Sequence, residues 1–173
     1  MKRALLFAVL LSLAAPAYAA PGDTAGPNVG QAQRDVIAER VRGGASCPNC
    51  DLFQIDLSYQ NIAGRNFSGA RIRQSDLSLV TADRARFSGA NMSLVNGFGG
   101  RFAHADFTDA NLSHGIGVGA YFGGARFHRA RIEGMDFSGA ELAGAIGLTQ
   151  EQLNTACGDA TTTLPPRMTI PPC

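Results

Sequence analysis

Residues 47–50 read Cys-Pro-Asn-Cys, the spacing of two thiols that can act together. A C-x-x-C pair serves either as a dithiol redox centre or as half of a zinc site. Two further cysteines, Cys157 and Cys173, stand near the other end, and the imidazoles are those of His104, His114 and His128. Serines recur at Ser58, Ser68, Ser78, Ser88, Ser93, Ser113 and Ser138, and as nucleophiles they would need a base beside them. The run RFHRAR, residues 126–131, collects Arg126, His128, Arg129 and Arg131 into a candidate anion or partner patch beside Glu133 and Asp136. Asn66, Asn91 and Asn111 each begin an N-x-S glycosylation triplet.

Whether any of these groups meet depends on the elements that carry them, and on what is left after processing. Residues 1–19 have a basic start at Lys2 and Arg3, an apolar run from Ala4 to Ala15, and small residues Ala17 and Ala19 flanking Tyr18. That is the pattern of a secretory signal peptide, with cleavage expected after Ala19 and a periplasmic or secreted product. A retained membrane anchor would want about 20 unbroken apolar residues, and no span is expected in the mature form. The 15 basic and 14 acidic residues become 13 and 14 once Lys2 and Arg3 leave, a net charge of −1, and all 13 are arginine. Such a balance points neither to a nucleic-acid binder nor to an acidic mimic of nucleic acid.

From Cys50 to Gly144 the chain divides without insertion into nineteen units of five, among them RNFSG, ARFSG, ANMSL, ADFTD, ANLSH and MDFSG. The third residue is Leu, Ile, Phe or Met in sixteen units, and the exceptions are Ala82, Gly97 and Gly117. A five-residue apolar period suits neither a helix nor a flat strand. These units resemble the A-(D/N)-(L/F)-x-x pattern of the pentapeptide-repeat family. The resemblance implies an all-β solenoid, a right-handed quadrilateral β-helix with four units per coil. It also implies that the first and third residues of each unit point inward.

Residues 20 apart should then stack, and they segregate by type: Phe67, Phe87, Phe107, Phe127 in one column, Leu52, Ile72, Met92, Leu112, Ile132 in another. Nearly five coils at about 4.8 Å each make a rod roughly 20–25 Å long. The outward column Arg86, Asp106, Arg126 reads as a solvated ladder of alternating charge. Solenoid ends need covers. At the N-terminal side, residues 20–49 hold QAQRDVIAERVR, residues 31–42, whose Val36, Ile37 and Val41 have helical spacing. The β-helix is assigned to 50–148, and 149–173 to a C-terminal cap with a Pro-rich tail. There Thr149 and Gln152 form a capping-box pattern and Gly158 a stop. The tail, TTTLPPRMTIPPC, either lies along the last coil or stays loose.

With the ends held 20 Å or more apart, cross-pairing of cysteines fails, because bridged Cα atoms lie within about 7 Å. The expected disulfides are Cys47–Cys50 and Cys157–Cys173; the alternative is a buried Cys50 thiol with Cys47 unpaired. A thioredoxin-like role for the C-x-x-C pair would need a βαβ context that the repeats do not provide. A zinc site would need further ligands, and the three histidines fall in other coils. The serines sit at the fourth repeat position, where they read as groups bonding local backbone at a turn.

The sequence therefore points to a non-enzymatic exported scaffold or protein-interaction module, without cofactor or metal. Its expected partner is a protein or an envelope component rather than nucleic acid, and a monomer or weak dimer is expected. Two alternatives are a DNA-mimicking, topoisomerase-binding protein of the quinolone-resistance type and a C-x-x-C thiol-disulfide redox protein. Export and the nine Arg against nine acids in residues 50–144 disfavour the first. Gly97 and Gly117 leave two inward positions empty in one column, with Phe98, Ile116 and Val118 beside them. Either the backbone slips so that Phe98 and Val118 turn in, or the register holds and the three form an apolar patch, the candidate partner-binding site.

Overall fold

The computed structural model describes residues 30–173, so the signal-peptide assignment at 1–19 and the segment 20–29 lie outside the described residues. Each unit from Cys50 to Gly144 makes the same bend, and in ten of the nineteen an Asp or Asn at the second position supplies a local reason for it. That side chain accepts the amide of the fourth residue: Ser58 N to Asp56 Oδ1 at 2.9 Å, Ala63 N to Asn61 Oδ1 at 3.0 Å, Ser68 N to Asn66 Oδ1 at 3.0 Å. This side-chain acceptor mimics a backbone turn. The turn closes when the next unit's first amide reaches back to the third residue, as in Ile55 N to Leu52 O at 3.1 Å. The fifth residue pays with a left-handed backbone, φ 69° at Gly64 and 59° at Gln54, which is why glycine recurs there.

Between bends the second residue of each unit pairs in parallel with the residue 20 further on, from Asp51 with Arg71 up to Arg126 with Ile146. Four units therefore complete one coil. The ladder starts one unit before Cys50: Cys47 N donates to Asn66 O at 2.8 Å and Asn49 N to Ser68 O at 2.9 Å, so ASCPN already follows the coil path. Inward columns pack as their types predict. Successive rings of Phe67, Phe87, Phe107 and Phe127 lie 5.2–5.5 Å apart and near-parallel, and Phe102 stacks on Phe122 at 5.2 Å in the adjoining column. Edge contacts knit the two columns, Phe102 on Phe107 at 5.7 Å and Phe122 on Phe127 at 5.5 Å. Such pairs add about 0.5–1.5 kcal/mol each beyond the area they bury.

Helix α1, Gln31–Arg42, matches the expected range. Of its three apolar residues only Val41 is buried; Ile37 is half-buried and Val36 faces solvent, which corrects the expectation that all three cover the first coil. Val36 and Ile37 are neighbours on a helix, 100° apart, and one stripe cannot hold both against a narrow coil end. The helix is fastened at its C-terminus, where Arg65 Nη1 donates to Val41 O at 2.7 Å. Beneath it the buried Asp51 carboxylate takes Arg71 at 3.0 Å.

At the other end α2 spans only Gln150–Leu153, shorter than the stretch to Gly158 that the stop signal suggests. Its capping box is present, with Thr149 Oγ1 accepting Gln152 N at 3.2 Å and Gln152 Oε1 accepting Thr149 N at 2.9 Å. The Gln152 side-chain amide also donates to the carbonyls of Phe127 and Ala130, at 3.1 and 2.7 Å, the second of them a ladder acceptor with no coil above it. Beyond α2 the chain rejoins the coil, Asp136 pairing with Cys157 and Glu141 with Thr163. The Pro-rich tail is thus part of the fold, with Gly158 pairing with Pro172 above it.

Asp159 helps to hold that last layer. Its Oδ1 accepts Gly139 N at 3.0 Å, Thr161 N at 2.9 Å and Thr161 Oγ1 at 2.7 Å. These bonds, the Thr161 hydroxyl foremost, bring the carboxyl down to a pKa of about 2.

Candidate functional site

The two empty inward positions decide between the readings of Phe98 and Val118. Around Gly97 the ladder is unbroken: Gly97 N donates to Ile116 O at 2.7 Å, Gly99 N to Val118 O at 2.9 Å, and Gly117 N to Asp136 O at 2.7 Å. The slipped register is therefore corrected. Larger neighbours fill the space instead. A Cβ placed on Gly97 would stand 3.5 Å from the Phe102 ring and 3.1 Å from Ile116 O, and one on Gly117 would meet Met135 Cε at 3.0 Å and Phe137 Cδ1 at 3.3 Å. Core side chains from the flanking columns, and Phe137 from the next coil of the same column, close the gap, so nothing calls the outer residues inward.

Held in register, Phe98 is 50% exposed and Ile116 43% exposed, with Val118 half-buried between coils. The rest of that face is polar at the same positions: Asp56, Asp76, Asn96 and Asp136 in the column of Ile116, and Ser58, Ser78 and Ser138 in the column of Phe98 and Val118. A fourth member was missed in the sequence. Leu79, 44% exposed, lies across Gly99, its Cδ2 taking the space that a side chain at 99 would need. The signal was available, since Leu79 shares a column with Gly99, Gly119 and Gly139.

The cysteines form the two expected disulfides, Cys47–Cys50 with Cα atoms 5.5 Å apart and Cys157–Cys173 at 4.8 Å. The first lies inside the coil below α1, Cys47 buried at a third repeat position. The second ties the tail down, its Cys173 Sγ beside Asp136 Oδ1 at 3.2 Å and receiving the Ser138 hydroxyl at 3.6 Å. Asp136, Cys157 and Cys173 are the one grouping of three potential metal ligands among the described residues, and its two sulfurs are joined to each other.

The histidines stay apart. His104, His114 and His128 each lie against a different glycine of the next coil, Gly124, Gly134 and Gly147. Several repeat serines bond to side chains rather than to backbone carbonyls, Ser58 Oγ to Asp56 at 2.7 Å and Ser93 Oγ to Asn91 at 2.9 Å, which corrects their expected partners. The charge ladder also falls elsewhere than expected. Asp106 caps Thr108 N at 3.0 Å, and inter-coil ion pairs are made by Asp51 with Arg71, Asp83 with Arg101 and Asp109 with Arg129. Arg129, donating from Nε at 2.6 Å and Nη2 at 2.7 Å, holds the Asp109 carboxyl below its usual range. That pairing neutralises part of the RFHRAR cluster.

The family model for pentapeptide repeats matches eight copies, over residues 61–96 and 105–144. The chain belongs to the pentapeptide-repeat family. Membership carries the quadrilateral β-helix, right-handed, whose four units per coil the 20-residue bridge period displays. The interval that the family model passes over, residues 97–104, begins with Gly97 and Phe98.

Among solved structures, a pentapeptide repeat protein from Nostoc PCC 7120 is 19% identical over 78% of this chain and 94% of its own, with TM-score 0.43. The plasmid-mediated fluoroquinolone resistance protein QnrB1 is 22% identical over 59% of this chain and 65% of its own, TM-score 0.31. A pentapeptide repeat protein of the Arabidopsis thaliana thylakoid lumen is 18% identical over 66% of this chain and 75% of its own, TM-score 0.27. No curated protein matches the sequence. Among the described residues, no helix of this pentapeptide-repeat protein is long and apolar enough to cross a membrane.

Proposed function

We propose that this pentapeptide-repeat protein is a non-enzymatic, exported interaction module that binds a protein partner or envelope component through Phe98, Ile116 and Val118, with Leu79 at the edge. The observation that carries the reading is the half-exposed Phe98, in a column otherwise held by Ser58, Ser78, Val118 and Ser138 and kept there by an intact ladder. Contiguous apolar surface of this kind on a rigid support is a usual mark of an interaction site. Export is supported by the pattern of residues 1–19 and by the pairing of all four cysteines.

A photo-reactive residue placed at Phe98, and separately at Arg86 on another face, tests both parts in the cell of origin. The account expects processed protein outside the cytoplasm and a discrete cross-linked product from position 98 alone. Equal products from both positions, or an unprocessed cytoplasmic protein, would overturn it.

A further inference from the structure

Around the corner from Phe98, an open cleft of about 690 Å³ lies on the next face, between Arg84, Arg101, His104 and Tyr121. That size falls within the range of small-molecule sites. Its chemistry is unlike that of the apolar patch. Asp83 engages Arg101 Nε at 2.9 Å through Oδ2, while its Oδ1 also accepts Ala103 N at 3.2 Å. The Arg101 guanidinium is thereby fixed to the coil, and its two Nη groups have no acceptor among the described residues. Arg84 has no acceptor among them at all. Two permanent positive charges, one of them pre-oriented, thus face one cleft against a single carboxylate.

The floor is shaped to match. Unit 120–124 reads AYFGG, the one unit after Cys50 with glycine at its fourth position. The Tyr121 ring occupies the space that a side chain at Gly123 would need, and the His104 imidazole does the same over Gly124. Tyr121 therefore lies flat against the coil and keeps 42% of its surface open beside the arginines. Ala103, nearly buried, leaves the space between them clear.

From this arrangement we infer that the cleft binds an organic carboxylate carried on a ring with an apolar face, the chemistry shared by an acidic sugar residue and an aromatic acid. The carboxylate takes the Arg101 fork and Arg84, and the ring lies on Tyr121. The site is independent of the partner reading of Phe98.

Amide chemical shifts of the processed protein, with both disulfides intact, are followed while galacturonic acid trimer or 4-hydroxybenzoate is added at low salt. The account expects saturable shifts confined to residues 83–84, 99–104 and 119–124. It expects neutral galactose trimer to bind about tenfold more weakly, and R84Q and R101Q each to cost about tenfold, one charge-assisted bond apiece. R126Q and the double variant F98S/V118S should leave binding unchanged, and the Arg variants should retain the wild-type melt because both side chains are exposed. Saturation by the trimer alone assigns a saccharide, and by the benzoate alone a small aromatic acid. Equal shifts with the neutral sugar, unchanged affinity in R101Q, or no saturable shift with either acid would overturn the site.

Discussion

Two columns of the same solenoid occupy equivalent third positions and are packed in opposite ways. In one, Phe67, Phe87, Phe107 and Phe127 fill their own places with stacked rings. In the other, Gly97 and Gly117 supply no side chain; Phe102 and Met135 take the space from beside them and Phe137 from the next coil of the same column. The backbone ladder is the same through both. The repeating hydrogen bonds, together with the Asp and Asn turn acceptors, thus fix the register, and the core side chains then divide the interior among themselves. An apolar residue next to an inward glycine stays outside because the space is already full.

The largest expected effect distinguishes the columns directly. Phe107→Ala removes a ring from the middle of a stack and should cost about 3–5 kcal/mol by chemical denaturation. A loss below about 1 kcal/mol would mean that the ring is not a core element. Gly97→Leu, by contrast, adds volume where the Phe102 ring already lies, and should cost about 1–3 kcal/mol. Combining it with Phe102→Ala should give a loss smaller than the sum of the two single losses by at least about 1 kcal/mol. Strict additivity would show that Phe102 does not fill the Gly97 position.

Neither column titrates, so the acid response should come from the carboxylates outside them, and most visibly from the end layer. The Asp159 pKa is lowered from 3.8 to about 2, so its contribution is present above 3.8 and is lost as pH falls from there towards 2. Asp159→Asn should flatten the fall in melting temperature across that window while leaving the pH 7 spectrum unchanged. A profile that matches the wild type throughout would place the acid-sensitive contact elsewhere.

Much of this was legible in the sequence because its units resemble the pentapeptide-repeat pattern and the 20-residue stacking of residue types agrees with the fold that the resemblance implies. The Phe column, the capping box at Thr149 and both disulfides follow from residue type and spacing. What was not legible depended on side chains reaching out of their own columns. Val36 has the right spacing for a buried face but meets the narrow end of a coil. Leu79 and Tyr121 sit at outward positions, and their placement depends on the space left by glycines, Gly99 one coil above Leu79 and Gly123 two residues after Tyr121 in its own unit. Asp106 has cations twenty residues away on both sides and bonds its own turn instead, because the amide of Thr108 is two residues off.

The central claim, that the register holds through Gly97 and leaves Phe98 and Val118 outside, is tested most directly by the equilibrium stability of Phe98→Ser/Val118→Ser. Two substitutions at outward positions should change the unfolding free energy by no more than about 0.5 kcal/mol each, with the denaturant slope unchanged. A loss of several kcal/mol would show that these side chains belong to the core, and the apolar patch would have to be abandoned.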